Sequence, residues 1–126
     1  MTALLAGAAA FADTTAHELT RCVAADPSTA GQLMCEDAAR RRYDARMNRV
    51  YAALLRRLPA PAAARLRIAQ RAWLVFRDAD ANARSAVYAT RIGTMYAPMQ
   101  AADSTAMVRD RALALEKQLR VLSIDD

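Results

Sequence analysis

Apolar positions in this chain recur every three or four residues through three long stretches, separated by short breaks. In the first, Cys35, Ala39, Tyr43, Met47, Val50, Tyr51, Leu54 and Leu58 make one stripe, which predicts an amphipathic helix from a Ser28 or Thr29 cap to Leu58. Pro27 disfavours helix in the residue before it, so residues 14 to 24 are expected to form a separate short helix or turn. Pro59-Ala60-Pro61 ends the first long helix and opens a second, because proline is tolerated in a first helical turn. That second helix, about Ala62 to Tyr88, is expected to bury Leu66, Ala69, Trp73, Phe76, Ala83 and Val87. Gly93 provides its stop. A third helix, starting between Pro98 and Ser104, carries Val108, Ala112, Leu115, Leu119 and Leu122 on one side. No stretch alternates apolar and polar residues as a half-buried strand would. The expected fold is all-α: a three-helix up-down-up bundle, preceded by a short segment.

Composition supports that reading. Alanine dominates, glycine occurs three times, and β-branched residues are sparse, all of which favour helix. A chain of 126 residues suits one domain with a modest core. The net charge of +5 comes from seventeen arginines and one lysine against 13 acids. Arg40-Arg41-Arg42, Arg46, Arg49, Arg56 and Arg57 read as a solvated helical face. Nucleic-acid or anionic-surface binding has less support, since no aromatic interleaving or recognised binding motif accompanies the charge.

Residues 1–12 are uncharged and apolar, ending in Ala10-Phe11-Ala12, as in the apolar part and cleavage site of a secretory signal. They are expected to be a signal-peptide remnant, with residues 13–126 the single domain; an alanine-rich helical extension is the alternative. Twelve residues are too few to span a bilayer. Cys22 and Cys35 would pair in an exported chain and remain two thiols in a cytosolic one. With only His17 beside them they make no zinc site. No catalytic motif is present, and Asp78 and Asp80 lie two apart on different helical faces, so the chain is not expected to be an enzyme and no cofactor is implied.

Two blocks stand out. Asp44-x-x-Met47-Asn48-x-x-Tyr51 lies on the first long helix, and Gln70-Arg71-Ala72-Trp73 followed by Phe76-Arg77-Asp78-Ala79 lies on the second. Met47, Tyr51, Trp73 and Phe76 are expected in the core. Asp44, Asn48, Gln70, Arg77 and Asp78 are expected to form an interhelical polar network, with Asn48 meeting Gln70 between the helices. Tyr88 and Tyr96 flank the second break as candidate partner contacts.

The two blocks, in this order and with Cys22, Cys35 and Gly93-Thr94, resemble the lysozyme inhibitor LprI-like family over roughly residues 22 to 120. Members commonly carry two further cysteines, where this chain has Ala81 and either Ala101 or Asp103. Their joint absence leaves Cys22–Cys35 as the bridge that the resemblance implies. The resemblance also implies a secreted or periplasmic bacterial helical domain without catalytic residues. Its partner would be a protein, such as a lysozyme-like muramidase or another envelope-directed enzyme; a periplasmic adaptor module is the alternative. Because animal-type lysozymes are basic like this chain, docking is expected to use a local acidic patch, with Asp78, Asp80, Glu36 and Asp37 as candidates.

Overall fold

The computed structural model describes residues 14–126, and the expected signal remnant at residues 1–12 lies outside the described residues. Four helices follow in order: α1 (Thr14–Ala25), α2 (Thr29–Arg57), α3 (Ala60–Ala89) and α4 (Tyr96–Leu122). The expected three-helix count is therefore corrected to four among the described residues. The segment before the first long helix is itself a 12-residue helix.

Local chemistry sets each junction. Ser28 caps α2, its Oγ accepting from the Gly31 amide at 3.0 Å, while Asp26 accepts from the Ser28 amide at 3.2 Å. A Cβ at position 31 would lie 2.3 Å from Asp26 Cγ, so only glycine lets the α1–α2 turn close this tightly. Leu58 is extended ahead of Pro59, which ends α2, and Pro61 sits in the first turn of α3. Gly93 adopts φ 139°, closed to side chains with a Cβ, and turns the chain from α3 into α4. α4 starts at Tyr96, ahead of the expected 98–104 window, because Pro98 is accommodated within its first turn.

The polar crossings define directions. Glu36 with Thr105, Arg46 with Glu116, and Arg57 with Ser123 pair residues 66 to 70 apart, so α2 and α4 run parallel. Cys22–Cys35, Glu18–Arg42 and Thr15–Arg46 run in opposite order along α1 and α2, so those helices are antiparallel. Gln70 with Arg111 and Arg84 with Ser104 make α3 antiparallel to α4. The three long helices thus keep the expected up-down-up order, with α1 laid along the outside of α2.

The core lies mainly between α2 and α4. Tyr43, Met47, Val50 and Leu54 meet Val108, Ala112 and Leu115, and α3 contributes Leu66. Tyr51 and Trp73 are half-buried against this cluster. Phe76 is not: at 56% exposure it faces solvent, as do Ala69, Ala83 and Val87. The expected α3 stripe is therefore corrected. α3 buries only Ala63, Leu66 and Gln70, all near its start, and beyond them its inner side is carried by Trp73, Arg77, Arg84 and Tyr88.

Candidate functional site

Gln70 is 6% exposed and engaged at both ends of its amide. Its Nε2 donates to Met47 Sδ at 3.6 Å, and its Oε1 accepts from Arg111 Nε at 2.9 Å. Burial of the guanidinium lowers the Arg111 pKa below the usual arginine range. The expected Asn48–Gln70 contact does not form. Asn48 is exposed and donates to Asp44, one turn back on α2, at 3.3 Å. Arg77 donates to its neighbour Asp78 at 3.0 Å, its guanidinium 5.5 Å from the Trp73 ring centre. The anticipated network is therefore three separate groups, because Asn48 lies on the solvent side of α2 while Gln70 points into the bundle.

Asp44, Arg77 and Asp78 line one open groove of about 460 Å³ between α2, α3 and α4, together with Arg40, Arg84 and Ser104. A second groove, of about 630 Å³, lies between α1, α2 and α4. On its wall Arg46 grips Glu116 through paired hydrogen bonds of 2.7 to 3.0 Å and donates to Thr15 at 3.1 Å. These groups satisfy one another across three helices, which makes the crossing a structural clasp. Cys22 and Cys35 form a disulfide that fixes α1 to α2.

The proposed acidic patch does not assemble. Asp37 pairs with Arg40 and Arg41, Asp78 with Arg77, and Asp80 with Arg84, so each of these carboxylates has an arginine of its own helix beside it and they do not add up to a negative surface. Among the described residues no group of three or more metal-ligating side chains comes together, and no helix is long and apolar enough to cross a membrane.

The tip between α3 and α4 is different. Ile92 is 100% exposed, and Met95, Met99 and Val87 around it are exposed as well. The turn carrying them is braced from beneath. Tyr88, half-buried, donates its hydroxyl to Asp103, and the Tyr88 pKa is raised because deprotonation would forfeit that hydrogen bond. The Tyr96 ring packs beside Gly93, where a Cβ would make only an ordinary contact at 3.6 Å, so it is the φ of 139° that calls for glycine in this turn. Tyr88 and Tyr96 are thus props of the tip. The outward-facing residues are Ile92, Met95 and Met99, and the isoleucine placed just before the helix-stopping glycine is their signal in the sequence.

The architecture is that of a disulfide-tethered helical bundle with an apolar tip. The chain matches the Lysozyme inhibitor LprI family over residues 9–115 and belongs to it. No curated protein matches it. Among solved structures, an uncharacterized protein from Burkholderia thailandensis superposes with a TM-score of 0.83 at 35% identity. The match covers 88% of this chain and 56% of that protein.

Proposed function

We propose that this chain is an exported, non-enzymatic inhibitor of a lysozyme-like muramidase that works by occluding its substrate cleft with the α3–α4 tip. The observation carrying this reading is Ile92, wholly exposed at the apex of a short turn held between two long helices. A rigid apolar projection loses little conformational entropy on binding and suits a concave site. Arg91, exposed beside Ile92, adds a matching charge. Glycoside hydrolases place a pair of carboxyl groups about the scissile bond. A guanidinium entering that cleft meets local negative charge even where the enzyme as a whole is basic. Family membership supports a muramidase as the target class, and the Cys22–Cys35 bridge agrees with an oxidising compartment such as the periplasm or the exterior.

The test is titration of the oxidised protein into a cell-wall lysis assay with several lysozyme classes. Stoichiometric inhibition is expected, with Ile92→Asp and Arg91→Glu each weakening it about tenfold or more while the thermal melt is unchanged. Lysis that continues undiminished at excess inhibitor for every class overturns the proposal.

A further inference from the structure

α3 carries a second apolar surface, on the side away from the bundle. Ile68, Ala72, Val75, Ala79 and Ala86 follow one another at spacings of three, four or seven, flanked by Ala69, Phe76 and Ala83. All eight are exposed, Val75 at 71%. None carries charge, and the row lies about half a turn around the helix from Ala63, Leu66 and Gln70, which face the core. Such a run has the spacing of a coiled-coil seam, its core positions alternating every three and four residues, with the uncharged Asn82 between Ala79 and Ala86.

The charges beside the seam select its occupant. Arg71 and Asp78 are both exposed, stand seven residues apart, and lie on the same flank. If a second α3 lies antiparallel with Ala72 opposite Val75 and Ile68 opposite Ala79, Arg71 of each copy falls beside Asp78 of the other. An isologous two-fold contact produces both ion pairs at once. Arg77 engages Asp78 through Oδ1, and the carboxylate has a second oxygen for an incoming guanidinium. On the opposite flank the same register sets Phe76 of each copy over the small Ala69 of the other, so large meets small. A parallel pairing leaves Arg71 and Asp78 facing uncharged residues.

We infer that the outer face of α3 is a self-association surface, on which two copies of this chain pair antiparallel through Ile68, Ala72, Val75 and Ala79, with reciprocal Arg71–Asp78 ion pairs. The two-fold axis falls between Trp73 and Leu74. The bundles lie on opposite sides of the helix pair, and the two α3–α4 tips point away from each other, roughly 50 Å apart at the 1.5 Å rise of a helix. Both tips remain free, so the dimer is bivalent.

Sedimentation of the oxidised full chain over a wide concentration range tests this. A monomer–dimer equilibrium is expected, and Val75→Asp, at an exposed position, should leave the protein folded by circular dichroism and monomeric. Arg71→Asp alone should weaken dimerisation about tenfold or more by setting like charges together. The double variant Arg71→Asp/Asp78→Arg should restore it, because reciprocal pairing is rebuilt only when the partner is a second copy in this register. A wild-type protein that stays monomeric throughout overturns the inference. So does a dimer indifferent to these changes, or a double variant that fails to recover. Loss of muramidase inhibition in Val75→Asp with a monomeric wild type would instead assign this face to the enzyme, and would equally overturn it.

Discussion

The side-chain oxygen of Gln70 accepts from Nε of Arg111 at 2.9 Å, joining α3 to α4 beneath the half-buried Trp73. The pair converts two polar groups that would each oppose burial into a fixed cross-link, and it lies where α3 makes its last fully buried contact.

Gln70→Ala leaves the Arg111 guanidinium partly buried without this acceptor, an expected cost of about 1–3 kcal/mol and a melting temperature lower by several degrees. Gln70→Leu/Arg111→Leu should recover much of the loss, since removing both partners removes the unmet hydrogen bond. Asn48→Ala should change stability by less than about 0.5 kcal/mol, because its amide meets only Asp44 on an exposed surface. Thermal melts of the four proteins, wild type included, check all three expectations.

Arg46 and Glu116 retain 13% and 24% side-chain exposure, a little less than Arg84 with Asp80 and far less than Arg41 with Asp37 at 75% and 44%. Arg46→Met or Glu116→Gln should each destabilise by about 1–3 kcal/mol, through loss of charge-assisted bonds and stranding of the other group. A double-mutant cycle in chemical denaturation should return a clearly favourable coupling energy. Arg41 with Asp37, exposed on α2, should return almost none.

Reduction of the disulfide restores freedom to a loop whose ends are 13 residues apart. The chain-entropy relation puts the loss near 3 kcal/mol. Cys22→Ser/Cys35→Ser should therefore melt well below the wild type. α1 depends on this bond and on Glu18–Arg42 and Thr15–Arg46, so its amides should show the greatest rise in hydrogen exchange.

Tyr88 provides a pH signature. Its folded-state pKa is raised, chiefly by the hydrogen bond that its hydroxyl donates to Asp103. The neutral phenol is thus favoured by folding. Its contribution is whole below the unfolded value of about 10 and is lost as pH rises through the higher folded value. In a tyrosinate absorbance titration, Tyr88→Phe should remove one component that titrates above the ordinary phenol range.

The α2 stripe was legible in the sequence because its apolar positions are large and its flanks charged: Cys35, Ala39, Tyr43, Met47, Val50 and Leu54 are all buried. α3 was not legible in the same way. Alanines surround it on nearly every side, so the 3.6-residue period admits two apolar stripes, one through Leu66 and Trp73 and one through Ile68, Val75 and Phe76. Periodicity shows that a helix has an apolar side. It does not show which of two sides meets the bundle.

The sequence by itself determined the three long helices, their breaks at Pro59 and Gly93, the pairing of Cys22 with Cys35 through the family resemblance, and the family. These depend on local preference and on motif spacing, which are properties of the chain alone. Only the tertiary structure decided that Gln70 meets Met47 and Arg111 in place of Asn48, that Phe76 faces outward, and that Ile92 stands at an exposed apex. Those outcomes depend on how far α3 lies from α2 and on its rotation about its own axis. Both are set by packing between distant residues, above all the parallel seam of α2 and α4 that occupies the core and leaves α3 only one narrow side to bury.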